Sequence, residues 1–313
     1  MENKINRRKF FADTALSAAG IVLGSNLMGC ASTGETGSSS INIMEEVKKY
    51  RKIDTHIHIN LFNTRSPEEL VNYADRLGVD RMIISRPIVD GVGTPDEFIE
   101  YNNMVLRAMK QYPGRFLGQM TLNPIYQKES LEEIKRCVDQ GMVALKVFVQ
   151  VKINDPLFYP VIEKLIDLKM ITLMHAECQL GVGGYRMKYE DKTRQNSANV
   201  SIPEDFVDVA KRYPEAMLQF AHIGGGGDWE YECKLFKDYP NIYVDTSGSN
   251  NEENMIDFAV KHLGEDRLFF GSDNAYYQAV GKILASRLTD TQKRKILFEN
   301  YNNILRKGGN NVV

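Results

Sequence analysis

Short apolar runs rich in β-branched residues recur along the chain, with polar stretches of helical periodicity between them. The runs span 51–59, 79–86, 116–122, 143–149, 171–176, 217–223, 242–246 and 268–272. Each reads as a strand. The stretches between them carry helix start and stop signals. SPEELVNYADRLG opens with Ser66 as N-cap, Pro67 at the first helical position and Glu69 at the capping-box position. TPDEFIEYNNMVLRAMKQYPG is capped at Thr94 and stopped at Pro113-Gly114, and KESLEEIKRCVDQG ends at Gly141. DPLFYPVIEKLIDLK, IPEDFVDVAKRYP, DWEYECKLFKDYP and EENMIDFAVKHLG follow the same plan.

Eight alternating β/α units predict an α/β chain folded as a (β/α)8 TIM barrel over 43–313. A doubly wound open sheet is the runner-up. It would not bring residues of the first, fifth, sixth and eighth strands to one point, as a closed barrel does. LTDTQKRKILFENYNNILRKG predicts a C-terminal helix packed on the barrel. The connection from Glu177 to Ile202 is long for a compact domain, which marks a functional loop roofing the site.

The N-terminus reads differently. Paired Arg7 and Arg8 with Phe10 and Phe11 precede a small-residue apolar stretch and then Leu27-Met28-Gly29-Cys30. Residues 1–29 are expected to be an export signal of twin-arginine type ending in a lipoprotein box. Cys30 is then the lipidated residue, and 30–42 a Ser/Gly/Thr-rich flexible tether. That places the protein outside the cytoplasm, periplasmic or on the cell surface, held to a bacterial membrane by its lipid. The apolar stretch is too short and interrupted for a comfortable transmembrane helix. A folded protein exported by that route can take up metal before it leaves. Cys137, Cys178 and Cys233 show neither a disulfide framework nor CxxC spacing. Cys137 and Cys233 read as core residues, and Cys178 as a neighbour of the site.

Net charge is −2 over 313 residues, with 43% apolar content. Nothing in this suggests a nucleic-acid partner, and the expected partner is a small-molecule substrate.

The candidate chemistry sits at strand ends. His56 and His58 form an HxH pair in KIDTHIHI, His175 ends ITLMHAE, His222 ends MLQFAHIGG, and Asp273 closes RLFFGSD. These are C-terminal ends of strands, the face where parallel barrels place chemistry. Alternation along a strand turns Asp54, His56 and His58 the same way. Two imidazoles on one side suit zinc and similar divalent ions, with His175 as a third nitrogen and Asp273 as an oxygen. Asp273 can also take a proton from a metal-bound water. An HxH alone is weak evidence; joined to histidines on strands five and six and an aspartate on strand eight, it is strong. Asp54 reads as a structural carboxylate. Lys146 in VALKVFV has two readings, a carboxylated lysine bridging two metals or an interior lysine facing substrate, the second preferred. Arg186, Lys188, Lys192 and Arg194 in the long loop read as solvated charges, or Arg186 as a clamp for a substrate carboxylate. Gly224 to Gly227 allow close backbone approach at the rim, and His222 is either a ligand or a polarising group. His262 reads as an ordinary surface residue.

With these pieces in family order, the stretch from Arg51 to Leu305 resembles the amidohydrolase superfamily, in its amidohydrolase-related branch. The matching segments are IDTHIHI, SPEELVNYADRLGVDRMII, DPLFYPVIEKLIDLKMITLMHAE, FAHIGGG, IYVDTSG, LFFGSDNAY and TDTQKRKILFENYNNIL. The resemblance implies that His56, His58, His175 and Asp273 bind one divalent metal, zinc or sometimes manganese. It implies that His222 works beside that metal and that Asp273 activates water. The branch holds lactonases, amide and ester hydrolases and nonoxidative decarboxylases. The preferred expectation is a metal-dependent hydrolase of a small lactone, ester or amide. The alternatives are a decarboxylase on the same scaffold and a lipid-anchored binding protein without chemistry.

Overall fold

A computed structural model describes residues 42–61, 65–178, 199–223, 227–248, 250–310 and 312. The export signal, Cys30, nearly all of the tether, Arg186 with most of the 177–202 loop, and Gly224–Gly226 lie outside the described residues.

Eight parallel strands pair in chain order, each with the next. They are β1 (Ile53–His58), β2 (Arg81–Ser85), β3 (Phe116–Met120), β4 (Ala144–Val147), β5 (Ile171–Met174), β6 (Met217–Phe220), β7 (Ile242–Asp245) and β8 (Leu268–Phe269). The turn after β8 returns to β1: Thr55 N–H donates to Phe270 O at 2.9 Å and Asp273 N–H to His56 O at 2.7 Å. The fold is a (β/α)8 barrel, as the alternation predicts.

The helices are α1 (Ile43–Lys48), α2 (Pro67–Leu77), α3 (Pro95–Gln111), α4 (Gln127–Asp139), α5 (Tyr159–Leu168), α6 (Pro203–Arg212), α7 (Trp229–Phe236), α8 (Met255–Leu263), α9 (Tyr276–Ala285), α10 (Asp290–Arg294) and α11 (Asn300–Lys307). Local signals set several of their ends. Reciprocal capping boxes at Ser66–Glu69 and Thr94–Glu97 satisfy the first free N–H groups of α2 and α3. Gly78 ends α2 in the left-handed conformation, φ 65°. The predicted C-terminal helix is present and runs without interruption from α10 through a π-helical turn at Lys295–Glu299 into α11. α1 and α9 were not evident from the periodicity.

Two apolar layers hold the barrel. One lies between strands and helices and includes Leu70, Phe98, Phe158, Phe206, Phe220 and Phe236. The other fills the N-terminal end, where Tyr301, Ile304 and Leu305 of α11 meet Ile53, Ile83, Val143 and Ile171. Tyr301 packs edge-on against Phe269 with ring centroids 5.2 Å apart. Burial of each large side chain there contributes about 1.5–3 kcal/mol. That plug leaves the opposite, C-terminal mouth for polar groups. Cys137 and Cys233 are buried, as core residues should be, and Cys178 is buried too. His262 is half-buried rather than freely exposed, its ring 4.2 Å from that of Phe258. Among the described residues, no helix is long and apolar enough to cross a membrane.

Candidate active site

His56 and His58 lie within β1, Lys146 within β4, and Asp245 ends β7. His175 stands just past the end of β5, and His222 and Asp273 stand a little beyond β6 and β8. The β1–β2 register slips between Asp54 and Ile57, so the strand is irregular at the HxH pair. Such irregularities re-aim side chains beside active sites.

The histidine tautomers follow from the neighbours. Asp245 Oδ2 lies 3.0 Å from His56 Nδ1. A carboxylate only accepts, so Nδ1 carries the proton and Nε2 the lone pair. Ser85 Oγ donates to Ile57 O at 3.4 Å and lies 2.9 Å from His58 Nδ1. With its proton on Ile57 O it accepts from His58, and the lone pair of that ring is then also on Nε2. Ser247 Oγ donates to Asp245 Oδ1 and accepts from His222 Nδ1 at 2.9 Å. The lone pair of His222 Nε2 then receives the Nδ1 proton of His175 at 3.2 Å. His175 in turn keeps its lone pair on Nε2. The nearest carboxylate there, Glu177, is 3.6 Å away, too far for a hydrogen bond.

This wiring leaves His56 Nε2 and His58 Nε2, both acceptors, 3.2 Å apart. Asp273 Oδ1 adds a third acceptor, 3.3 Å from His58 Nε2 and 3.8 Å from His56 Nε2. The three donor atoms all lie within 4.8 Å of one another. Lone pairs crowded in this way repel unless a cation sits among them, and the Lys146 ammonium, 3.1 Å from His56 Nε2, meets only one of the three. The arrangement fits a divalent ion with two imidazoles and one carboxylate, each imidazole oriented through its other nitrogen. Desolvation holds His56 and His58 well below the ordinary imidazole range, which keeps them neutral and able to ligate. His175 stands outside this close trio, against His222. A second grouping of His56, His222 and Asp245 is equally compact. It is a hydrogen-bond network: Asp245 already accepts from His56 Nδ1, Gln219 Nε2, His222 N, Ser247 N and Ser247 Oγ.

The backbone is strained at His222 and at Asp273. His222 has φ 68° and Asp273 has φ 46°, left-handed values uncommon for residues with a side chain. His222 is held there by its N–H bond to Asp245 at 3.2 Å. Asn274, at φ 65°, locks the Asp273 turn by accepting from His58 N and donating to His58 O, both at 3.0 Å. Asp54 Oδ1 accepts from His56 N at 3.2 Å and Ser272 N at 2.9 Å, a structural part; burial pushes its carboxyl up to about 7. Burial likewise raises Asp273 to about 6, against the pull of Lys146.

Lys146 is 1% exposed and donates to His56 Nε2 at 3.1 Å. Burial lowers its ammonium to about 8, opposed by Asp273 and Asp245. Sequence reasoning missed Asp245, Ser247, Ser85 and Asn274. Asp245 was within reach, since it closes the apolar run IYVD at a strand's C-terminal end. Ser85 and Asn274 pair with His58 across the sheet, and Ser247 links Asp245 to His222.

One curated relative, 2-amino-3-carboxymuconate-6-semialdehyde decarboxylase of Dictyostelium discoideum, is 21% identical over 287 residues, covering 82% of this chain and 77% of its own. The 5-carboxyvanillate decarboxylase of Sphingomonas paucimobilis superposes with a TM-score of 0.63 at 16% identity, over 82% of this chain and 99% of that one. A dihydroxybenzoic acid decarboxylase of Polaromonas, solved with bound manganese and 2-nitroresorcinol, gives 0.64 at 17% identity, over 82% and 96%. At these identities the two structures speak for the fold. The Amidohydro_2 family model, described as Amidohydrolase, matches residues 53–300, from the first residue of β1 into α11, and the chain belongs to that family.

Proposed function

We propose that this protein is a metal-dependent decarboxylase that removes a carboxyl group, without oxidation, from a small unsaturated or aromatic acid. The observation that carries the reading is the trio of His56 Nε2, His58 Nε2 and Asp273 Oδ1, beside the buried cation of Lys146. Decarboxylases among the relatives and structural neighbours support this over hydrolysis of a lactone, ester or amide. The sequence-based preference for hydrolysis is the less supported of the two. Zinc is likewise not singled out; the ion bound in the Polaromonas neighbour is manganese.

His56, His58 and Asp273 would hold the ion, with His175 within reach of the same mouth. When bound, a divalent ion supplies positive charge that fixes substrate oxygens and steadies the charge left by departing carbon dioxide. The chain's own groups do the rest. Loss of carbon dioxide breaks one C–C bond and leaves its electron pair on the substrate carbon. A proton must replace it there. Asp273 Oδ2 and His222 Nδ1 lie 4.0 Å apart at the mouth, and Asp273 is 34% exposed, so its carboxyl is the acid that can reach substrate. Asp245 and Ser247 keep His56 and His222 in fixed tautomers throughout.

The test is an isotope experiment on manganese-loaded protein with 5-carboxyvanillate, 2,6-dihydroxybenzoate and related acids. Decarboxylation in heavy water puts deuterium on the vacated carbon, and in oxygen-18 water leaves the organic product unlabelled. Labelled oxygen in the product of a lactone or ester, with no carbon dioxide from any acid, would return the assignment to hydrolysis. The sequence alone supports export and anchoring through Cys30. Cys30→Ala in a bacterial host should move the protein from the membrane fraction to the soluble one.

A further inference from the structure

We infer that Lys146 is a built-in competitor of the divalent ion, holding the one lone pair of His56 that the ion needs. This rests on the metal-site reading above. His56 donates from Nδ1 to Asp245, so its ring has a single lone pair, on Nε2. Lys146 Nζ donates to that lone pair at 3.1 Å. One lone pair serves one partner. The ion therefore binds only when the ammonium gives up His56. The released ammonium remains buried beside Asp273 and Asp245, whose charges attract it. It then stands next to the ion as a free donor, placed for an anionic oxygen of the substrate. A lysine at this position lowers the affinity for metal and adds positive charge for a carboxylate.

The experiment measures metal affinity rather than turnover. Protein stripped with chelator is titrated with manganese at fixed pH against a fluorescent competing chelator. Wild type is compared with Lys146→Met, Lys146→Gln and Lys146→Arg, and thermal melts in chelator confirm folding. Removing the buried charge in the Met or Gln variant should tighten the apparent Kd by about ten-fold or more, since like charges a few ångströms apart repel strongly in a poorly solvated site. Lys146→Arg should stay close to wild type or weaker. The Gln variant carries the test if Met does not fold. Equal or weaker affinity in both neutral variants overturns the competitor role while leaving the metal site standing. A fall from two ions to one in those variants overturns it in favour of a lysine that ligates. No binding in any variant overturns the metal-site reading and this inference with it.

Discussion

His56 and Asp245 are joined by a 3.0 Å hydrogen bond between two fully buried side chains from strands on either side of the barrel's closure. The bond determines which nitrogen of His56 faces the mouth with a lone pair. Asp245 also holds the His222 backbone and, through Ser247, the His222 ring. One carboxylate thus sets the proton positions of histidines on β1 and after β6.

Asp245→Asn tests that control. The amide must turn one N–H2 toward either His56 Nδ1 or the N–H groups of His222 and Ser247, so some donor meets a donor. His56 can then move its proton to Nε2 and lose the lone pair at the site. Manganese affinity should fall about 10- to 100-fold, the usual effect of losing a ligand's hydrogen-bond partner. Competition with a chelator measures it, while circular dichroism should show an intact barrel. Unchanged affinity would remove Asp245 from the site's machinery.

Gly271 makes the pairing possible. A Cβ there would lie 3.0 Å from Asp245 Cβ and 3.1 Å from His56 Cβ. Gly271→Ala should force the two apart, costing about 1–3 kcal/mol of stability from overpacking and weakening metal binding as well. Thermal melts with and without manganese report both. A variant that melts and binds like wild type would show that the β1–β7–β8 contact has slack.

Asp273→Asn separates chemistry from fold. Asparagine tolerates the left-handed backbone at this position, so the turn should survive. The variant loses an anionic ligand and the acid proposed to deliver the proton. Turnover should drop by about 10²-fold or more, with the melting temperature in chelator close to that of wild type. Retention of more than a tenth of the activity would assign the proton to another group, His222 first.

Lys52 gives a stability signature apart from catalysis. It is buried, and its ammonium donates to Val47 O and Tyr50 O, while burial lowers it to about 8. An unfolded lysine holds its proton to about 10.4. Between these values the unfolded chain binds more protons than the folded one, so stability rises with pH from about 8 to about 10.4. Denaturant melts across that window should show a smaller rise in Lys52→Met than in wild type. Equal slopes would mean the folded lysine titrates normally.

The barrel was legible because its signals are local. Each apolar run ends at a turn, and Ser66, Glu69 and Thr94 mark helix starts through bonds to residues three positions away. The π-helical turn at Lys295–Glu299 was not legible, because the same residues fit a continuous helix. His56, His58, His175, His222 and Asp273 could be named from their positions at strand ends. What joins them could not. Asp245, Ser85 and Asn274 act through hydrogen bonds to histidines far away in the chain, and Ser247 relays Asp245 to His222; nothing in the local pattern records them.

From the sequence alone followed the eight β/α units, the mouth that carries the polar groups and the residue types available there. Those are set by periodicity and by which end of a strand a residue occupies. Only the tertiary structure decided that His56, His58 and Asp273 form the close trio while His175 pairs with His222. Only it placed Lys146 on the lone pair of His56. The physical reason is range: burial patterns act over neighbouring residues, whereas a tautomer or a ligand set depends on atoms a few ångströms apart that closing the barrel alone brings together.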